Sequence, residues 1–242
     1  MRALAIAAGV FALIACTGAH AATGTRTIYV TNGSTMVTDA ELADALPAFQ
    51  QALDQDFAPE WGADATLVQL PAGATVPAGG WSIAISDEPD VFGAAGYHDI
   101  GAGHVPFARV FADTGLEWQV TFTHELWEML ADPYCDRTAS PAKLGEHTKA
   151  GQALYALEVA DPVEDQSFAY SRPGADGAPV PISDFVTERW FDGEGGGRFD
   201  FAGHVKHALQ ILTNGYITEY TGGGWTRLPI FYRLPFDRLP VR

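Results

Sequence analysis

The sequence predicts an α+β protein in which a part built from strands and helices is followed by a loop-rich part. Up to about residue 135, short runs rich in β-branched and aromatic residues alternate with two segments of helical periodicity. Beyond that point, stretches rich in Gly and Pro interrupt the pattern. We therefore expect one domain over residues 22–242, with a sheet and helix lobe at 22–135 and a loop-rich lobe at 136–242.

The first strands and the first helix follow from local patterns. Thr38 and Glu41 form a capping box, after which apolar residues recur at helical spacing to about residue 61. Pro47 lies inside this predicted helix, where it favours a kink. Three segments have the β-branched and aromatic composition of strands: residues 26–31, 66–70 and 81–85.

The middle of the chain is predicted to contain a loop, a strand and a helix. Residues 93–103 have no regular apolar period and are expected to be loop. Residues 104–112 are predicted to form a fourth strand, and Pro106 favours an edge position because proline donates no ladder hydrogen bond. A helix is expected over residues 116–131, ended by Asp132 and Pro133.

The first 21 residues have the pattern of a signal peptide: Arg2, then an uncharged apolar run, then small residues. The run is too short for a membrane span, which needs about 20 apolar residues. The triplet at 19–21 suits signal peptidase, whereas residues 13–16 resemble a bacterial lipoprotein box that ends at Cys16. We expect an exported protein, periplasmic or secreted, either free or lipid-anchored at Cys16, with no transmembrane segment.

Composition narrows the classes of function. A formal net charge of -16 disfavours nucleic acid as a partner, because phosphates would be repelled. The chain has no Gly-x-Ser-x-Gly elbow and no phosphate-binding loop. Removal of a signal peptide would leave Cys135 as the single cysteine, and the sequence places no evident base beside it, which disfavours a nucleophilic role.

The predicted helix at 116–131 carries the main candidate residues, His124, Glu125 and Glu128. Because successive residues are about 100° apart around the helix, an apolar stripe covers one side and His124 and Glu128 lie on the opposite face. Glu125 lies between that face and the stripe. Residues four apart have Cβ atoms about 5–6 Å apart, so both could bind one ion. In His-Glu-x-x-His sites two histidines bind zinc and the glutamate acts as general base. Here Glu128 occupies the second histidine position.

An alternative interpretation is an ordinary solvated polar face. Such a face normally pairs its carboxylates with Lys or Arg three or four residues away. No basic residue lies between Arg109 and Arg137, so Glu125 and Glu128 would repel each other without compensation. A divalent cation would remove that repulsion.

Further ligands are expected from the acidic segment at residues 155–165. Glu158 is the preferred third ligand, because its neighbours are apolar and a buried carboxylate must be paired or bound to metal. Asp161 is the alternative, and His98 is a candidate for a ligand or a substrate contact. His204 and His207 are predicted to lie on the surface of a helix, outside the site.

Three segments together resemble a group of uncharacterised bacterial and phage-associated proteins of the zincin-like metallopeptidase type. The resemblance spans about residues 97–220. Its motifs are Thr-His-Glu-Leu-Trp-Glu-Met-Leu-Ala-Asp-Pro at 123–133, Leu-Glu-Val-Ala-Asp-Pro-Val-Glu at 157–164 and Ser-Asp-Phe-Val-Thr at 183–187.

The resemblance implies a zincin-like mixed sheet whose edge strand borders a substrate cleft and whose next helix supplies metal ligands. It also implies zinc held by His124, Glu128 and a downstream acidic ligand such as Glu158, with Glu125 as general base. The chain departs from the zincin pattern at Glu128. A carboxylate there weakens the ion as a Lewis acid and shifts preference toward Ca²⁺, Mg²⁺ or Mn²⁺.

These observations predict a metal-dependent hydrolase that acts on peptide bonds, with water as the nucleophile and Glu125 as the base. A second hypothesis is a non-catalytic domain of the same fold, stabilised by an ion at Glu128, Glu158 and Asp161. A third is a binding module or lipoprotein that holds a partner through aromatic loops such as Trp190 and Phe191.

Overall fold

The protein is described by a computed structural model, which covers residues 26–139, 154–193, 196–220 and 224–229. The predicted signal peptide and Cys16 lie outside the described residues. Within these ranges, no helix is long and apolar enough to cross a membrane.

A five-stranded mixed sheet forms the N-terminal part, in the order β2-β1-β3-β5-β4. Four strands run parallel, and β4 pairs antiparallel with β5. The structure confirms the α+β class and the first three predicted strands. The bounds are β1 Arg26–Asn32, β2 Ala65–Gln69, β3 Trp81–Ser86, β4 Gly96–Gly101 and β5 Val105–Phe111.

The edge of this sheet differs from the prediction, since the edge strand is β4 and β5 lies inside, between β3 and β4. Residues 93–103 were expected to be loop, but β4 is half-exposed along its whole length and therefore has no apolar alternation to reveal it. Pro106 is tolerated in an internal strand because it precedes Phe107, the first residue of β5 that pairs with β3.

The first helix, α1, spans Asp39–Ala52 and begins with the predicted capping box, in which Thr38 and Glu41 exchange hydrogen bonds. Pro47 lies inside it. A π-helical turn at Leu53–Phe57 continues directly into α2, Ala58–Trp61. The helical segment therefore ends at Trp61, as the apolar spacing predicts.

Helix α3 spans Trp118–Ala131 and packs against β4 and β5. Its apolar side joins the core, where Phe122 stacks on Phe49 with centroids 4.6 Å apart and Trp127 stacks on Phe57 at 4.7 Å. Eleven of its fourteen residues are buried, so the polar side is covered as well. The cover comes from β4 and from the C-terminal part of the chain.

The C-terminal part contains a four-stranded antiparallel sheet in the order β11-β10-β7-β6 and a separate hairpin, β8-β9. Its bounds are β6 Thr138–Ala139, β7 Leu154–Ala156, β8 Tyr170–Pro173, β9 Pro179–Ile182, α4 Glu188–Asp192, β10 Tyr216–Tyr220 and β11 Trp225–Pro229.

The helix predicted around His204 and His207 is wrong. That segment is irregular, because the backbone N–H groups of His204 and Val205 donate to the carboxylate of Asp200 rather than to a helical ladder. An aspartate side chain that captures nearby N–H groups offers the backbone an alternative to the helix.

Candidate metal centre

Glu128 lies at the centre of a cluster of five side chains, two imidazoles and three carboxylates. These form two groups that share Glu128, and within each group the potential ligand atoms lie within 4.8 Å of one another. One group adds His124 and Asp161, and the other adds His98 and Glu158. All five candidate metal ligands predicted from the sequence therefore meet around one carboxylate.

The first group is held together by helical spacing and by hydrogen bonds from backbone N–H groups to Glu128. His124 and Glu128 are one turn apart on α3, with 3.3 Å between Nε2 and Oε2. Asp161 Oδ1 lies 3.4 Å from the same His124 nitrogen. The N–H groups of Ala160 and Asp161 donate to Glu128 Oε1 at 3.2 Å each, which holds the segment 160–163 over the helix.

The second group joins the edge strand to the acidic segment. His98 lies on β4, and its Nε2 atom is 2.9 Å from Glu158 Oε2. Its Nδ1 atom faces the thiol of Cys135, 3.7 Å away. The sequence showed no base beside Cys135, and the pairing of β4 with β5 is what brings His98 to the end of α3.

The acidic residue that lies next to both His124 and Glu128 is not the third ligand that the sequence favoured. Asp161 is the acidic residue grouped with His124 and Glu128, whereas Glu158 is grouped with His98. Glu158 remains beside Glu128, so the preferred ligand and its alternative both contribute to the cluster.

The geometry of the first group fits a metal ion. Two ligands that are each about 2.1 Å from a tetrahedral ion lie about 3.4 Å apart. His124 Nε2 is 3.3 Å from Glu128 and 3.4 Å from Asp161, so the separations already match a shared ion. Imidazole nitrogen and carboxylate oxygen also suit zinc and manganese.

In the described part of the chain, the carboxylates of the cluster pair with imidazole groups, those of His98 and His124, rather than with Lys or Arg side chains. Burial raises the pKa of Asp161 well above its usual range, and nearby Glu128 raises it further. Burial also favours neutral His124, but Glu128 and Asp161 overcome this effect and raise the pKa of His124 well above its usual value.

Glu125 is buried next to the first group and lines a cavity of about 460 Å³ together with His124. Burial, with the nearby charge of Glu128, raises the pKa of Glu125 to about 8, although His124 lowers it. The same cavity is lined by residues 93–96, at the start of β4, and by Glu164. A carboxyl group with this pKa can take up and release a proton near neutral pH.

Tyr216 is a site residue that the sequence did not reveal. Its hydroxyl is hydrogen-bonded to Asp161 and accepts a hydrogen bond of 2.9 Å from the Arg227 guanidinium, which lies 3.7 Å from the centre of the Tyr216 ring. Both residues line the cavity. A tyrosine in strand β10 has no local pattern that relates it to a helix 85 residues earlier.

A second acidic group lies outside the centre. Asp184 and Asp200 are fully buried, and His204 Nδ1 lies 3.4 Å from Asp184 and 3.6 Å from Asp200. Backbone N–H groups of Phe185 and Ala202 donate to Asp184 Oδ1. These bonds stabilise the irregular segment that replaces the predicted helix, and the His204 side chain is partly exposed, as expected.

Comparisons of the chain with protein-family models, with curated proteins and with solved structures find no match. The functional interpretation therefore rests on the geometry and the chemistry of the cluster.

Proposed function

We propose that the protein is a zincin-like metal-dependent hydrolase that acts on peptide bonds. The observation that carries the proposal is the position of Glu125, a buried carboxyl group that lines the same cavity as His124, one of three side chains spaced to hold one cation. A base beside a metal ion at the wall of a cavity is the arrangement that metal-assisted hydrolysis requires.

Three residues serve as metal ligands and a fourth, Glu125, transfers the proton. His124, Glu128 and Asp161 would hold a divalent cation, which supplies Lewis acidity toward a water molecule and a substrate carbonyl. Glu125 takes the proton from the attacking water and delivers it to the leaving amine. A carboxylate at this position can accept the proton of the water and then donate it to the amine, as a general acid–base does.

The edge strand supports a peptide as the substrate. Gly96, the first residue of β4, and residues 93–95 before it line the cavity with Glu125, and within the described ranges β4 pairs only with β5. An extended peptide can add to such an edge through main-chain hydrogen bonds. The antiparallel edge strand and the ligand-bearing helix also agree with the zincin-like arrangement that the sequence resembles.

A non-catalytic, metal-stabilised domain is the second candidate. It is favoured by the contact of Glu128 with the backbone of Ala160 and Asp161, because an ion there would fasten the acidic segment to α3. In that case the ion contributes stability and Glu125 has no chemical role.

The proposal is tested by metal analysis and by hydrolysis of an unstructured protein such as casein. We expect the purified protein to bind Zn²⁺ or Mn²⁺, to lose hydrolysis in chelator and to regain it when the ion is added back. His124→Ala should lose the ion at this position and the activity, whereas His207→Ala, which changes an exposed histidine outside the cluster, should keep both. A protein that binds none of Zn²⁺, Mn²⁺ or Ca²⁺, with a melting temperature unchanged by chelator, would contradict the proposal.

A further inference from the structure

We propose that the cluster holds two divalent cations, with Glu128 as the carboxylate that both share. One cation is held by His124, Asp161 and Glu128, and the other by His98, Glu158 and Glu128. This inference rests on the proposed function only in that the first cation is the same in both.

The two ligand groups have the same composition. Each supplies one imidazole and one carboxylate of its own, and both use Glu128. The side chains come from different elements, since His98 lies on β4 and His124 on α3, and each histidine has its own acidic partner within 3.4 Å. A single catalytic ion uses three protein ligands and one open position. With one ion at His124, His98 and Glu158 would hold no cation and would pair only with each other.

The charge of the cluster also favours two ions. Glu128 interacts electrostatically with three other carboxyl groups, those of Glu125, Glu158 and Asp161. Ligands bind a metal in their deprotonated forms, as neutral imidazoles and ionised carboxylates. When Glu125 is ionised as well, as a base must be, one divalent cation balances half of the four negative charges and two balance all of them. Buried charges need such compensation, and no described Lys or Arg forms an ion pair with them.

The surroundings of His98 are those of a metal-binding imidazole. A ligating histidine normally directs its second ring nitrogen at a fixed partner, which sets the tautomer and the ring orientation. His98 Nδ1 faces Cys135 Sγ at 3.7 Å, and this leaves Nε2 directed at Glu158. The imidazole side chain is only 6% exposed, so its orientation is fixed by its neighbours.

Shared coordination by Glu128 explains its position in the fold. Two cations that share a carboxylate in two-metal sites lie about 3.5–4 Å apart. Glu128 is the one residue that belongs to both groups, since it contacts the backbone of Ala160 and Asp161 and lies near His98 of the edge strand. The substitution of Glu128 for the second zincin histidine is therefore what makes a second site available.

The inference is tested by metal stoichiometry of the full chain. Mn²⁺ is added to metal-free protein, bound metal is counted by mass spectrometry after gel filtration, and electron paramagnetic resonance is recorded. We expect two Mn²⁺ per chain and the spectrum of an exchange-coupled pair. His98→Ala and His124→Ala should each bind one Mn²⁺ without coupling, and His207→Ala should bind two.

The wild-type spectrum decides the question even where a variant fails to fold. One Mn²⁺ per chain at saturation, with an uncoupled spectrum, would overturn the second site and leave the proposed hydrolase standing on a single ion. Binding of no Mn²⁺, Zn²⁺ or Ca²⁺ would overturn both. Two uncoupled Mn²⁺ ions, both retained in His98→Ala, would place the second ion elsewhere and would also overturn the inference.

Discussion

The carboxylate of Glu125 lies directly against the backbone of Gly96. A β-carbon at position 96 would lie 2.7 Å from Glu125 Oε1 and 2.8 Å from the carbonyl oxygen of Arg109. Both distances are far below van der Waals contact, so only glycine allows the edge strand to approach the helix this closely. The position of the proposed base thus depends on the absence of a side chain in β4.

Gly96→Ala is expected to displace Glu125 and to lower hydrolysis by at least about 10-fold, because small misplacements of catalytic groups are costly. Overpacking should also cost about 1–3 kcal/mol of unfolding free energy. Gly101→Ala in the same strand is the control, since its nearest neighbours would be 3.4 Å away. Equal activity in Gly96→Ala and wild type, at equal metal content, would show that Glu125 need not be held here.

Glu125→Gln should keep the bound metal and the melting temperature but lower kcat by about 10²–10⁴-fold, the usual contribution of a general base. Glutamine keeps the size of the side chain and cannot take up the proton. Glu117→Gln, an exposed residue just before α3, is the matched control. Turnover of casein and metal content are measured on the same samples. Unchanged turnover would favour the non-catalytic, metal-stabilised domain.

Tyr216→Phe should weaken metal binding about 10-fold, because Asp161 loses the hydroxyl group that orients it. The affinity is measured by competition with a chelator of known strength. Tyr170→Phe provides the comparison, since its hydroxyl donates to another buried carboxylate, Asp56, at 3.0 Å. Both changes should cost about 1 kcal/mol of stability. Equal metal affinities in the two variants would show that the Tyr216 hydroxyl does not orient a metal ligand.

The pH dependence of stability should change in Asp184→Asn. Burial and a hydrogen bond with Asp200 raise the pKa of Asp184 to about 8, from an ordinary value of 3.8. The unfolded chain therefore loses this proton first as the pH rises. The contribution of protonated Asp184 to the free energy of unfolding is fully present below about pH 4 and is lost as the pH rises through 8.

Asparagine at position 184 can still accept from Phe185 and Ala202, but it does not titrate. At pH 8 to 9, Asp184→Asn should therefore be more stable than wild type by at least about 1.4 kcal/mol, the value of one pKa unit. Denaturant unfolding of both proteins from pH 4 to 9, in chelator, measures the difference. Parallel curves for the two proteins would show that Asp184 ionises as readily in the folded state as in the unfolded chain.

Local patterns predicted most of the elements before residue 135 and, within the metal centre, the contact between His124 and Glu128. The capping box at Thr38, the first three strands and helix α3 follow from interactions between residues close in the chain. The proximity of His124 and Glu128 also follows, because one helical turn brings them together wherever the helix packs.

The remaining features depend on contacts between distant segments. The half-exposed residues of β4 show no apolar alternation, so neither the edge strand nor the position of His98 is encoded locally. Asp161 and Tyr216 reach the cluster from a short 3₁₀ turn and from strand β10, and no spacing in the sequence relates them.

The sequence by itself determined most of the helices and strands before residue 135 and the five candidate ligands, because periodicity and helical spacing act over a few residues. Only the tertiary structure decided which carboxylate joins which histidine, that Glu128 is shared by both groups, and that Gly96 makes room for Glu125. The physical reason is that burial and charge pairing arise when distant segments pack, here when the acidic segment and the edge strand pack against helix α3.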